Sequence, residues 1–149
     1  MMTSLGKYRH LTQSSTSEGH FVVLAIDHRA NLFAALNKHS PTPVNDHEFS
    51  QFKLQIMKHL LPAATAVLTD PAYGISAGIA EGVINGQVGI LAPLEVTNYD
   101  VHPSQRLTQF IKDWSVEKVK RIGATGVKLL LYYHPDDLVA SEKRNLVSQ

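Results

Sequence analysis

The apolar residues of this 149-residue chain fall into four short continuous runs, separated by segments with an apolar residue every three or four positions. A continuous run is typical of a strand buried on both faces, as in parallel sheets, and the wider spacing indicates an amphipathic helix. The runs predict strands at residues 20–26, 64–68, 87–94 and 127–133. The segments between them predict helices at residues 31–38, 46–60, 74–85 and 114–122, the second with Asn45 or Asp46 as its N-cap.

Two further segments flank this alternation. Residues 1–19 predict an N-terminal helix or polar arm, and Asp136 or Asp137 is expected to cap a last helix that runs through Val147. Strands that alternate with helices indicate parallel strands joined by right-handed crossovers, so residues 1–149 predict one α/β domain. A complete (β/α)8 barrel needs about 250 residues. The pattern alone therefore leaves two forms open, an open four-stranded sheet and part of a barrel.

Candidate functional groups follow the predicted strands. In parallel α/β folds, ligands bind at the edge of the sheet where the strands end. Asp27, Asp70, Glu95 and the segment 132–134 (YYH) all fall at this edge. Because side chains alternate in direction along a strand, only one of the two tyrosines shares the face of Lys128, and by parity it is Tyr132.

Lys128 is the most informative of these groups, because it stands near the start of an otherwise apolar, β-prone run. A buried ammonium is costly unless it finds a partner or loses its proton. Lysines in such places act as bases, nucleophiles or carbonyl-polarising groups. Asp27 closes the first apolar run and is the expected ion-pair partner, so we predict Asp27 and Lys128 as the catalytic pair.

Each candidate also has an ordinary structural explanation. Lys128 could extend its charged end to solvent from a strand edge, and Asp27 could cap the helix predicted at residues 31–38. Arg29 could bind a phosphate or pair with a surface acid. Asp70 precedes a proline and could be a turn former.

Composition narrows the classes of function. The net charge is +1, and no basic patch interleaved with aromatic residues indicates a nucleic-acid partner. The absence of cysteine excludes disulfides and thiolate chemistry. No apolar run suits a membrane span or a secretory signal, so we expect a cytoplasmic protein without a membrane partner. The eight histidines lack paired helical spacing, and neither a metal nor a cofactor is expected.

Three stretches carry a resemblance to a known family. They are residues 21–29 (FVVLAIDHR), residues 68–74 (LTDPAYG), and residues 113–115 (DWS) followed by 123–133 (GATGVKLLLYY). Together they resemble the class I tagatose-1,6-bisphosphate aldolases and, more loosely, the sulfofructose-phosphate aldolases. The resemblance implies a (β/α)8 barrel, of which this chain would cover about the first four units. It also implies retro-aldol cleavage of a ketose 1,6-bisphosphate to dihydroxyacetone phosphate and an aldehyde phosphate through a lysine Schiff base.

The resemblance assigns residues as follows. Asp27 and Lys128 match active-site positions of the family, and Lys128 matches a lysine that does not form the Schiff base. The family's Schiff-base lysine and helper glutamate lie on later strands, so we expect this chain alone to be inactive. Val96 stands where the family tends to carry a lysine. We expect the following residues to bind substrate: Arg29, Asp70, Glu95 and Tyr132.

Other readings remain open at the level of sequence. Two half-barrels could associate, with Lys128 itself forming the Schiff base. The chain could instead be a non-catalytic sugar-phosphate binder or regulator, or an inactive fragment. The expected partners are a small sugar phosphate and either a second copy of the chain or a C-terminal half of the barrel, because a half-barrel leaves strand edges unpaired.

Overall fold

The computed structural model describes residues 4–96, 101–102, 106–132, 134, 136, 142 and 145. Helices and strands alternate along most of this part of the chain. The strands are β1 (Val23–Ile26), β2 (Ala66–Thr69), β3 (Gly89–Pro93) and β4 (Gly126–Lys128). The helices are α1 (Leu5–Gln13), α2 (Ala30–His39), α3 (Asp46–Leu60), α4 (Ser76–Ala80) and α5 (Val116–Arg121). The predicted loop at residues 97–104 and the predicted last helix lie largely outside the described residues.

The four strands form one parallel sheet in the order of the sequence. In its register, Val23 lies beside Ala66, Ala66 beside Gly89, and Leu91 beside Gly126. The predicted α/β class is confirmed. All four strands are shorter than predicted, most of all β4, because its only neighbour in the described sheet is β3, and their pairing ends at Pro93 and Lys128.

Helix α3 begins as the sequence predicts. The Asn45 side chain accepts a hydrogen bond from the Glu48 backbone N–H, and the Glu48 side chain accepts one from the Asn45 N–H, which forms a capping box. Phe49, Phe52, Ile56 and Leu60 recur every three to four positions in the sequence and so predict the buried stripe of this helix, but the buried face differs. Leu60 is 51% exposed, whereas Lys53 is fully buried, so the true stripe includes a residue that a count of apolar positions treats as polar.

The helix predicted at residues 74–85 exists but is shorter and less regular. A π-helical turn at Pro71–Ile75 leads directly into α4. The helix ends at Ala80, and Gly82 then adopts a positive φ of 67°. Gly74 lies against β2, where a Cβ at this position would be 1.9 Å from Thr69 Oγ1. This close approach allows the turn to pack on the end of β2.

The core lies between the sheet and helices α3 and α4, and it includes Leu54, Met57 and Val67. The outer strands are less covered, with Val23 39% exposed on β1 and Val127 43% exposed on β4. Helix α1 covers the amino edge of the sheet, because Thr65 Oγ1 donates to the Ser14 carbonyl at 2.7 Å. Among the described residues, no helix has the length and apolar character to cross a membrane.

Candidate active site

The carboxyl edge of the sheet brings Lys128 together with two carboxylates. Asp27 follows β1, Glu95 follows β3 by two residues, and Lys128 ends β4. Lys128 Nζ lies 3.2 Å from Asp27 Oδ2 and donates a second hydrogen bond to Glu95 Oε1. The predicted contact between Asp27 and Lys128 is therefore present, and Glu95 joins it. Their catalytic role stays a prediction.

The two carboxylates decide the charge of Lys128. The side chain is 32% exposed, and its partial burial lowers the pKa. The hydrogen bonds and charges of Glu95, and then of Asp27, outweigh that effect, so the pKa of Lys128 is raised above its ordinary value. At neutral pH Lys128 is an ammonium ion held in place by two acceptors.

Glu95 connects the cations of the site. Its residue is 2% exposed, and a β-bridge to Phe110 fixes its backbone beyond the end of β3. Its carbonyl accepts a hydrogen bond of 2.6 Å from Arg29 Nη2, while its side chain holds Lys128. Among the described residues, no donor reaches Glu95 Oε2 although this atom is buried. A buried carboxylate oxygen without a donor is energetically costly.

Arg29 lies beside Glu95 with one donor unused. It occupies the N-cap position of α2 but makes no capping hydrogen bond with its side chain. Its Nε is buried, and within the described residues no acceptor reaches it. The explanation of Asp27 as the cap of this helix is wrong, because the chain enters the helix at Arg29 while Asp27 pairs with Lys128.

These groups surround a cavity of about 220 Å³. Its lining contains predicted residues together with others that the sequence did not single out. The lining residues are Asp27, His28, Arg29, Asn31, Leu68, Glu95, Val96, Lys128 and Leu130. A larger cavity of about 670 Å³ lies at the opposite edge, near Thr65 and Val88. The smaller one is the better candidate, because parallel sheets bind ligands at the carboxyl edge and the charged groups converge there.

Asp70 does not line this cavity and forms a second ion pair. Its Oδ2 accepts from Lys53 Nζ, and both side chains are 0% exposed. Its Oδ1 accepts from the Tyr73 backbone N–H at 2.8 Å, which confirms the explanation of Asp70 as a turn former. Because Asp70 has no exposed surface, its placement gives no support to the prediction that it contacts substrate.

Sequence reasoning missed Lys53. Its Nζ lies beside the contacting rings of Phe49 and Tyr73, whose centroids are 5.0 and 6.0 Å away. Burial lowers its pKa, and the hydrogen bond and charge of Asp70 only partly oppose that effect. A signal was present, because Lys53 lies four residues from both Phe49 and Met57 and so shares their face of the helix.

Tyr132 does not lie on a strand. Its ring centroid lies 5.4 Å from the Arg106 guanidinium carbon. The parity argument assumed a strand that continues through residue 133, whereas β4 ends at Lys128. Its role in substrate binding stays a prediction, and Tyr133 lies outside the described residues. Within the described part of the chain, no three histidine or acidic side chains are grouped to hold a metal ion.

Comparison with known proteins identifies relatives of the chain and its family. The chain is similar to tagatose 1,6-diphosphate aldolase of Staphylococcus haemolyticus (strain JCSC1435), with 34% identity over 146 residues, covering 98% of this chain and 43% of the relative. It is 33% identical over 136 residues to tagatose 1,6-diphosphate aldolase 2 of Streptococcus mutans serotype c (strain ATCC 700610 / UA159), covering 91% and 40%. The corresponding protein of Staphylococcus aureus (strain JH9) is 35% identical over 137 residues, covering 92% and 41%.

The chain therefore spans about two fifths of the length of the curated relatives it matches. The sequence profile of the DeoC/LacD family aldolases matches residues 21–148. This match includes all four strands and the residues that line the cavity at their carboxyl ends. The chain belongs to the DeoC/LacD family of aldolases.

Proposed function

We propose that the cluster of Asp27, Glu95 and Lys128 forms one side of the active site of a class I, Schiff-base aldolase. The reaction is cleavage of a ketose 1,6-bisphosphate, such as tagatose 1,6-bisphosphate, to dihydroxyacetone phosphate and an aldehyde phosphate. The observation that carries the proposal is the placement of the Lys128 ammonium between two carboxylates at the carboxyl edge of a parallel sheet. Family membership and the names of the relatives support the same reaction.

The charge of Lys128 assigns its role in this reaction. A Schiff base forms when a neutral amine attacks a carbonyl, and the raised pKa keeps Lys128 protonated. An ammonium ion instead stabilises negative charge that develops on a substrate oxygen as the carbon–carbon bond breaks. In this proposal Asp27 orients the substrate hydroxyls or assists dehydration of the carbinolamine, and Lys128 stabilises the oxygen.

Lys53 does not provide the Schiff base either. Its lowered pKa favours the neutral amine that such chemistry needs. Its side chain, however, is 0% exposed and is held by Asp70, so a substrate carbonyl has no path to it. We therefore propose that the Schiff-base lysine lies on strands beyond β1–β4, as the family resemblance implies.

The unused polar atoms of the cavity indicate how the substrate is held. Glu95 Oε2 is an acceptor without a donor among the described residues, and Arg29 Nε is a donor without an acceptor there. A polyhydroxylated sugar phosphate supplies both kinds of group, and because the two atoms are buried, the side chains of Glu95 and Arg29 must turn toward the cavity to make these contacts. Leu68 and Leu130 provide apolar surface against the carbon chain.

The open outer strands support the proposal that the four units belong to a (β/α)8 barrel. Val23 and Val127 are 39% and 43% exposed on the first and last strands. Closing a barrel would place further strands against both and would bury these side chains. The further strands come from a C-terminal half or from a second copy, and sedimentation of the purified chain distinguishes a dimer from a monomer.

The proposal is tested by incubating the chain with tagatose 1,6-bisphosphate or dihydroxyacetone phosphate, with and without borohydride. We expect binding of the ketose phosphate, negligible cleavage and no reduced adduct on Lys128. The variant Lys128→Met should lose binding, while the matched control Lys120→Met, on α5, should keep it. Turnover by the chain, or trapped mass at Lys128, would overturn the assignment of the Schiff base to other strands. Absence of binding would contradict the proposed site.

A further inference from the structure

The carbonyl of Ile26 lies one peptide before Asp27 and accepts two hydrogen bonds from buried side chains. Lys53 Nζ donates to it at 3.1 Å, and Thr69 Oγ1 donates at 3.4 Å. Lys53 is held in turn by Asp70, whose other oxygen is fixed by the Tyr73 N–H. Because Lys53, Thr69 and Asp70 are each 0% exposed, water does not compete for these contacts.

This carbonyl is the last fixed point of β1. The pairing of β1 with β2 ends at Ile26 and Thr69, so the backbone of Asp27 lies beyond the ladder. A peptide group is planar, and the direction of the Ile26 carbonyl therefore sets the plane from which Asp27 departs. The two donors hold that plane in place.

Packing alone does not account for a lysine at this place. Its neighbours on the same face of α3 include Phe49 and Met57, both 0% exposed. A buried ion pair can often be replaced by apolar residues of similar volume without loss of stability. An apolar residue, however, could not donate to Ile26 while being held by Asp70.

We propose that Lys53 is a positioning residue, which together with Asp70 holds the peptide before Asp27 and thereby keeps the Asp27 carboxylate in contact with Lys128. The inference rests on the proposed function, since it treats that contact as part of the substrate site. Lys53 acts through Asp27 and does not touch the substrate.

The test removes both charges of the buried pair in the variant Lys53→Met/Asp70→Asn. Methionine fills the volume of the lysine stem, and an asparagine oxygen still accepts from the Tyr73 N–H. The readout is the pH dependence with which Lys128 reacts with trace acetic anhydride, measured by peptide mass spectrometry on the full chain. The matched control is Lys58→Met, which removes an exposed lysine of the same helix.

The sign of the change separates positioning from simple electrostatics. A neutral pair is removed, so electrostatics alone leaves the reactivity of Lys128 unchanged. If Asp27 loses its position, Lys128 loses a carboxylate, its pKa falls, and its labelling at a fixed pH below that pKa rises roughly threefold or more. We expect this rise in the double variant and none in Lys58→Met. Unchanged or reduced labelling in a folded double variant overturns the proposal.

If the double variant does not fold, Lys53→Leu/Asp70→Ser replaces it, because leucine is apolar and a serine hydroxyl oxygen can still accept from the Tyr73 N–H. Labelling of Lys128 should rise as in the first variant, and unchanged labelling overturns the proposal. The readout involves no sugar phosphate. A failure of ketose bisphosphate to bind therefore counts against the proposed function, whereas unchanged labelling counts against the positioning role alone.

Discussion

Two lysines lie at the carboxyl end of the same sheet, and each is paired with an aspartate, yet their surroundings give them opposite properties. Lys53 is fully buried against Phe49 and Tyr73, and burial lowers its pKa. Lys128 opens onto a cavity with two carboxylates, and its pKa is raised. The balance between lost hydration and nearby negative charge decides the sign in each case. We therefore propose different roles for them, with the buried pair supporting the site and the open cluster binding the substrate.

The largest expected loss of stability comes from removing only one residue of the buried ion pair between Lys53 and Asp70. Asp70→Ala leaves the Lys53 amine buried without its carboxylate partner, which should lower the free energy of unfolding by about 3–5 kcal/mol. Asp27→Ala is the matched change in the open cluster. It should cost about 0–1 kcal/mol, because Lys128 is partly exposed and keeps Glu95. Urea unfolding of both variants measures the difference, and equal losses would contradict the comparison.

A smaller effect is expected from the turn that carries Asp70. Gly74→Ala would place a Cβ 1.9 Å from Thr69 Oγ1, where neither β2 nor the π-helical turn can move freely. We expect a loss of about 1–3 kcal/mol from overpacking. Gly86→Ala is the control, since nothing lies within 4 Å of a Cβ at that position. An unchanged free energy of unfolding in Gly74→Ala would show that the π-helical turn and β2 can move apart to accommodate the added methyl group.

The two lysines should also affect stability in opposite directions as pH rises. The folded pKa of Lys53 lies below its ordinary value of 10.5, so the unfolded chain binds more protons between the two values and stability rises there with pH. The folded pKa of Lys128 lies above 10.5, so its contribution is complete below that pH and is lost as pH rises through the folded pKa.

Urea midpoints measured from neutral pH to pH values above 10.5 test these signs. Lys53→Met/Asp70→Asn should abolish the rise, and Lys128→Met should abolish the later fall. A rise that persists in the double variant would assign it to another group.

The smallest expected effect is the difference between Glu95 and Asp27 in how far each raises the pKa of Lys128. Glu95 is the more deeply buried acceptor and contributes more than Asp27 to the raised pKa of Lys128. Glu95→Gln should therefore lower the pKa of Lys128 further than Asp27→Asn does. Titration of the Lys128 side chain by NMR compares them, and the reverse order would mean that Asp27 is the main partner.

Much of the fold could be read from the sequence, because its signals are local. The sequence predicts Asn45 or Asp46 as the N-cap of α3, and the structure shows that the cap is Asn45. Gly123, with a φ of 78°, follows the end of α5. The alternation of elements predicted parallel strands, and a lysine within an apolar run predicted the contact of Asp27 with Lys128. Each of these inferences rests on a residue type, such as a helix cap, a glycine with positive φ or a lysine in an apolar run, that is favourable in few structural environments.

The parts that sequence reasoning missed depend on neighbours distant along the chain. Lys53 is buried because Asp70 and the Ile26 carbonyl meet it, and no spacing within α3 shows those partners. The apolar run after Lys128 predicted a longer strand, but the extent of β4 is set by where β3 ends. The argument about Tyr132 failed for the same reason, since parity holds only while a strand continues.

The central claim is that the cluster around Lys128 binds a sugar phosphate, and protection from labelling tests it most directly. Lys128 is acetylated with trace reagent at increasing concentrations of tagatose 1,6-bisphosphate, with the exposed Lys58 as the internal reference. The account predicts saturable protection of Lys128 and constant labelling of Lys58. Equal labelling of both lysines at all ligand concentrations would show that the cluster is not the substrate site.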